Sequence, residues 1–249
     1  RLASGEEIAA DAVVSNADVG ALADGHFGPA AARATRPVPP SARSLSALTW
    51  SLCAVAEDFP LVRHTVFFSG DYAAEFDDLM RRRRLPAAPT VYVCAQDRGD
   101  HPPAASGSPE RLFLLVNAPP TGDTHDYDGA EIEQCEDRTF DLLARCGLRL
   151  SGQVEPAVRT TPTEFNRLFP ATGGALYGQA SHGWQASFRR PGSRSRIPGL
   201  YLSGGSTHPG AGVPMAALSG RLAASSLLAD FASTTTFPRT ATSGGTSTP

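Results

Sequence analysis

The chain has 249 residues, 41% of them hydrophobic, and a net charge of −3. That is enough for one large domain or two small ones with a proper core, and nothing in the charge points to a nucleic-acid partner. All 22 basic residues are arginine, a mark of GC-rich coding composition rather than of function, and Cys53, Cys94, Cys135 and Cys146 lie far apart with no CxxC. Such cysteine usage argues against a zinc site or a redox pair and fits cytoplasmic thiols. No apolar run reaches the ~20 residues of a membrane helix. The first residues, "RLASGEEIAADAVVSNADV", contain no leader and no start methionine, and read as a chain entered in mid-fold.

In chain order, a turn at Gly5–Glu6 followed by Ile8–Val14 predicts a β-hairpin whose second strand enters a core. "SNADVGALADGHFG" predicts a loop and a short helix capped by Asn16 or Asp18. The Pro- and Ala-rich stretch from Pro29 to Pro40 predicts a connector. Strands are expected at Leu45–Ala56, Val62–Phe68, Thr90–Ala95 and Arg111–Asn117, with a helix over Asp71–Arg84 and a polar turn region over His101–Pro109. Asp128–Cys146 carries the clearest helical pattern. Asp128 and Glu131 have capping-box spacing, Ile132, Cys135, Thr139, Leu142 and Cys146 form an apolar stripe, and Gly147 suits the C-terminal cap. Beyond it come a strand within Gln153–Thr160, a short helix at Pro162–Phe169, a glycine-rich loop "ATGGALYGQASHGW", a buried strand at Leu200–Ser203 and a helix at Val213–Asp230. From Phe231 onward the tail is low in complexity and is expected to be disordered.

The segment "GLYLSGGSTHPGAGVPMAALSGRLAA" (199–224) joins the last strand to the last helix through a loop with glycine at 204, 205, 210 and 212. It is a poor dinucleotide fingerprint. Gly210 and Gly212 lie well past the strand, and Met215 stands where a third glycine is required. Pro214 suits the first turn of a helix, because it lacks an N–H that would have no partner there. The helix then points its positive end into the loop, and bare peptide at 210 and 212 lets the backbone lie against something flat. Such an arrangement can stabilise charge at the pyrimidine edge of a reduced flavin, or it can simply turn the chain.

The stretch "LYLSGGSTHPGAGVPMAALSGR" resembles the C-terminal signature of bacterial carotenoid desaturases, the phytoene-desaturase family of flavin oxidoreductases. "ADAVVSNADV" (10–19) resembles the strand by which that family returns from its substrate domain to its flavin domain. "HTVFFSGDYAAEFDDL" (64–79), "PTVYVCAQDR" (89–98) and "VPMAALSGR" are similar to the branch that introduces the 3,4 double bond of 1-hydroxy- or methoxy-neurosporene-type substrates. The resemblance covers residues 8–230. It implies FAD, an apolar carotenoid substrate and a cytoplasmic enzyme peripheral to a membrane surface, with oxygen or a quinone as electron acceptor. The implied fold is α/β: a doubly wound, discontinuous flavin-binding domain with a sheet-containing substrate domain. The family's G-x-G-x-x-G is absent, so the chain is expected to be the C-terminal portion, its N-terminal part missing. Residues 1–20 would then be a strand hairpin returning to the flavin domain, 21–40 a connector, 41–165 the substrate domain, 166–230 the rest of the flavin domain and 231–249 the tail.

Carried over by position, Gly204, Gly205, His208, Pro209, Gly210, Ala211, Gly212, Val213, Pro214 and Met215 would face the flavin. His208 is the candidate catalytic residue, an imidazole able to take a proton as the flavin takes a hydride; its other reading is a loop-shaping hydrogen bonder. His182 and Trp184 either line the substrate channel or pack the core. Arg81–Arg84 could meet anionic lipid, though Asp77–Arg81 and Asp78–Arg82 at i,i+4 favour a solvated helix end. Asp123, His125, Asp126 and Asp128 read as a polar loop rather than a metal site. Two alternatives stay open: a phytoene desaturase or other flavin amine-oxidase-like enzyme, and a non-catalytic half acting as a binding module.

Overall fold

The computed structural model describes residues 2, 4–99, 107–152, 158–181 and 186–236. The architecture is mixed α/β and has two sheets. The larger has six strands, all pairs antiparallel: β2 (Ser46–Glu57), β3 (His64–Phe67), β4 (Val91–Ala95), β5 (Glu110–Ala118), β6 (Arg149–Ser151) and β7 (Val158–Thr160). Their order is β3-β4-β5-β2-β6, with β7 also on β2. β2 is long enough to pair with β5 along one edge and with β7 and then β6 along the other. Period-two alternation places Leu48, Trp50, Leu52, Val91, Val93, Leu112, Leu114 and Val116 on one face, where they form the main core with α4 (Gly129–Arg145).

α4 starts as expected, with the Asp128 carboxylate accepting from the Glu131 N–H (2.8 Å). The capping box is only half made, because the Glu131 carboxylate goes to His125 Nε2 (2.7 Å) instead of back to Asp128. At the other end Leu148 N–H donates to Leu143 O and Gly147 N–H to Ala144 O, the pair of bonds of a Schellman cap. The buried stripe runs through Cys135, Thr139, Leu142 and Leu143. Cys146, the cap residue, is exposed although its N–H still bonds Leu142 O (3.0 Å). All four cysteines are free, and burial pushes the Cys135 thiol up to about 12.

The smaller sheet departs from the expected hairpin. Near the start of the chain Leu2 N–H bonds Glu6 O and Gly5 N–H bonds Leu2 O. The strand that follows, β1 (Val13–Ser15), pairs in parallel with β8 (Leu200–Leu202) and not with its own neighbour. Residues 6–10 are exposed, Ile8 included, so none of them is anchored in a core, whereas Leu202 of β8 is buried beside Val19 and Leu22 of α1 (Val19–Ala23). Asp18 rather than Asn16 caps α1, accepting from Gly20 N–H (2.8 Å). The connector contains α2 (Pro29–Ala32) and a 3-10 turn at Pro40–Ala42. α3 (Tyr72–Asp77) runs into one wide turn, Asp78–Arg82. α5 (Pro162–Leu168) has a complete Thr161/Glu164 capping box, and α6 spans Ala186–Arg189. α7 runs beyond the expected Asp230, from Val213 through Thr236, because nothing between Phe231 and Thr236 breaks a helix. His182, Trp184, most of His101–Pro109 and the first half of Gln153–Thr160 lie outside the described residues.

Candidate functional site: the glycine loop between β8 and α7

β8 enters the loop with Ser203 N–H on Ser15 O (2.9 Å), so β1 holds its last residue in place. Gly204 then turns at φ 115°, and a Cβ there would stand 2.7 Å from Asn16 Oδ1. Its N–H donates to Ser219 Oγ (2.7 Å), and its carbonyl accepts from Thr207 Oγ1 (2.8 Å). Ser219 in turn donates to Ala216 O (2.6 Å), tying the loop to the first turns of α7. Ser206 Oγ accepts from Val19 N–H at the start of α1 (3.2 Å). The 204–208 stretch is therefore the fixed base of the loop, its polar groups engaged inside the protein.

The 209–212 stretch is the open lip. The His208–Pro209 peptide is cis, and Gly210 and Gly212 have φ 143° and 103°. α7 follows with Pro214 in its first turn, where the N–H groups of Val213 and Met215 precede any helical acceptor. Pro209, Gly210, Ala211 and Met215 form one wall of a cavity of about 340 Å³. Tyr177, Gln179 and Arg190 form the other. Of the ten residues expected at the cofactor, those four line this cavity. Gly204 and Gly205 belong to the base, and Gly212, Val213 and Pro214 are not among the cavity's lining residues. His208 N–H donates to Pro191 O (2.8 Å), and its ring stacks on Phe188 at 5.8 Å.

Sequence reasoning missed Arg190. It is buried (5% exposed) and bonds four acceptors: Gly205 O (2.8 Å) through Nη1, and Tyr177 O (2.8 Å), Gln179 O (2.7 Å) and Ser181 Oγ (3.1 Å) through Nη2. Among the described residues no carboxylate pairs with it. Desolvation pulls its pKa below the ordinary arginine value, with the charge of Asp18 opposing. One of 22 arginines carries no mark of this in the sequence, since burial of the charge arises only in the folded chain.

The 177–181 segment also joins the two sheets. Leu176 N–H donates to Leu45 O, Ser44 N–H to Gly178 O and Ala180 N–H to Ala42 O, so residues 176–180 pair with the lead-in to β2. The face of the large sheet turned away from α4 carries Tyr92. Tyr92 on that face is held above its ordinary pKa by desolvation, by a hydrogen bond with Cys94 and by the charge of Cys94, with Tyr177 adding to the shift. Its hydroxyl lies 2.8 Å from His64 Nδ1. A larger cavity, about 630 Å³, lies on the opposite face between the sheet and α4, where Trp50 Nε1–H donates to Glu136 (2.9 Å).

Most of the remaining candidates are occupied locally. Arg81, Arg82 and Arg84 pair with Asp77 or Asp78. Asp123 pairs with Arg43 (2.7 Å), His125 with Glu131, and Asp128 caps α4. Among the described residues no helix is long and apolar enough to cross a membrane.

The lip offers bare peptide, first-turn N–H groups and a buried cation around one cavity. That donor set fits a flat, electron-rich ring which gains negative charge. Residues 1–228 match the model of the family described as flavin-containing amine oxidoreductases. The chain is 57% identical over its whole length to a hydroxyneurosporene desaturase of Rubrivivax gelatinosus, covering 47% of that protein. It is 44% identical over 94% of its length to a hydroxyneurosporene desaturase of Cereibacter sphaeroides, covering 46% of it. A 1-hydroxycarotenoid 3,4-desaturase of Flavobacterium is 31% identical over 73% of the chain, which covers 37% of that relative. The chain thus spans about half the length of these curated relatives. With a matched length that takes in both sheets and the loop, this chain belongs to the flavin-containing amine oxidoreductase family.

Proposed function

We propose that this chain supplies the flavin-ring end and the substrate sheet of an FAD-dependent carotenoid desaturase. The reaction assigned to it is 3,4-desaturation of a 1-hydroxy- or methoxy-carotenoid in carotenoid biosynthesis. The observation that carries this reading is the 57% identity to a hydroxyneurosporene desaturase, which runs through sheet and loop alike. Desaturation removes a hydride and a proton from neighbouring carbons, and bound FAD would supply the hydride acceptor. In this reading Gly210 and Ala211 would hold the ring, and Arg190 and the start of α7 would stabilise negative charge on it. Tyr177 and the uncovered face of the large sheet guide the polyene toward it. His208, stacked on Phe188 and hydrogen-bonded through its backbone, shapes the loop. Residues 41–165 form the substrate domain; β1, β8 and α7 belong to the flavin domain. The enzyme works peripherally at a membrane surface that holds its apolar substrate, and passes electrons to oxygen or a quinone.

The test supplies the protein with a 1-hydroxycarotenoid and, separately, with phytoene, and follows products by chromatography and absorption. We expect a red-shifted 3,4-desaturated product from the hydroxylated substrate only. Turnover of phytoene alone would move the assignment to the phytoene branch. A protein that holds no flavin, alone or combined with the N-terminal half of the Rubrivivax gelatinosus relative, would leave only a binding module.

A further inference from the structure

We propose that Arg190 is the buried positive charge that stabilises the negative charge a flavin ring gains on reduction at the glycine loop. The proposal rests on the flavin reading above and assigns a charge-stabilising residue to that site. The geometry carries it. A guanidinium buried to 5% exposure, with no carboxylate partner among the described residues, is costly unless a negative charge is provided for it. Its bonds to Gly205 O, Tyr177 O, Gln179 O and Ser181 Oγ satisfy Nη2 and half of Nη1 but bring no negative charge. Arg190 also lines the cavity at the lip. Its Nε, for which no acceptor occurs among the described residues, stands 3.6 Å from the place a Gly210 Cβ would take. Gly210 has no side chain to cover that edge, so a ring seated on the lip meets the guanidinium directly.

The first-turn N–H groups of α7 act on the same edge, but they are fixed partial charges at a helix end. Arg190 adds a full charge held in low dielectric by three carbonyls, two of them on the 177–181 segment that also carries Tyr177. A single side chain therefore sets both the position of the loop relative to the sheet and the electrostatics of the reduced ring.

The test uses the flavin-loaded protein. In the unaltered protein the reduced flavin should be anionic at neutral pH, read from its absorption spectrum; a neutral reduced flavin would overturn the proposal without recourse to any variant. Sulfite adds to N5 of oxidised flavin and leaves negative charge at the pyrimidine edge, so its affinity reports the same stabilisation. Arg190→Gln should weaken sulfite binding at least tenfold and shift the flavin couple by the matching factor, about 30 mV for two electrons. Arg190→Lys, which keeps the charge, should recover most of both. Sulfite affinity within about twofold of the unaltered protein in a flavin-retaining Arg190→Gln variant would overturn the proposal. Absence of flavin from the unaltered protein, both alone and combined with the N-terminal half of the Rubrivivax gelatinosus relative, would instead sink the flavin reading itself.

Discussion

Gly204 is where a single atom matters most. Its φ of 115° lies in the region that L side chains rarely adopt, and an added Cβ would press on Asn16 Oδ1 at 2.7 Å. The residue is fixed on both sides, by Ser219 Oγ on its N–H and Thr207 Oγ1 on its carbonyl, so the backbone has no room to yield. Gly204→Ala should cost about 1–3 kcal/mol, read as a lowered midpoint in thermal unfolding. Adding Asn16→Ala should return part of that loss, because it removes the clash but not the dihedral strain. Failure of the second substitution to help would place the whole cost in the backbone. The sequence shows a glycine at 204 but not why it is needed, because Asn16 lies 188 positions upstream and meets it only through the parallel pairing of β1 with β8.

At the level of elements, legibility followed periodicity. β4 and β5 alternate buried residues with half-exposed or exposed ones, β2 is a long, mostly apolar run, and α4 repeats its apolar stripe over four turns, so sequence pattern alone located them. β6 and β1 are three residues each, too short to carry a period, and their partners are set by tertiary contact. The helix expected over Asp71–Arg84 exists, but its end is reshaped by one carboxylate. Asp78 is buried and accepts from Arg82 Nη1 (3.1 Å), Arg84 Nε (2.9 Å) and the Ala87 N–H (3.0 Å), which gathers the turn after α3 around itself. Burial alone would raise its pKa; the Ala87 N–H and the two arginines outweigh that and hold it below the ordinary aspartate value. A carboxyl whose folded pKa is depressed contributes stability above its unfolded pKa, about 3.9, and loses it as pH falls through the folded value. Acid unfolding below about pH 4 should therefore be steeper in the unaltered protein than in Asp78→Asn. At neutral pH the substitution should cost about 1–3 kcal/mol, with the arginines returning to water. Denaturant titrations at neutral and acid pH measure both effects.

Across the whole molecule, the large sheet has one face covered by α4, while the other is buried at Ala47 and Thr49 and open to solvent from Tyr92, Cys94 and Phe113 outward to Val66. Cross-strand register lays Val66, Tyr92, Leu115 and Thr49 in one row, with His64, Cys94, Phe113 and Ser51 in the next. Phe113 and Leu115 are half-buried and Val66 is 45% exposed, while Tyr177, in a segment paired with the lead-in to β2, lines the cavity at the lip. In the proposed function this face is the wall along which an apolar polyene slides toward the flavin. A carboxylate placed in its path would have to be desolvated by the substrate, a cost of about 2 kcal/mol or more. Val66→Glu should therefore raise KM for the carotenoid at least tenfold. Flavin content and thermal stability should stay unchanged, because Val66 points away from the core built on Phe67 and Val91. Leu228→Glu, at a position of α7 that is 65% exposed, supplies the comparison: equal change of charge, no place on the open face and no expected change in KM. Equal KM in the two variants would remove the open face from the substrate path. A selective rise for Val66→Glu would tie substrate guidance to the sheet and leave the redox chemistry to the loop.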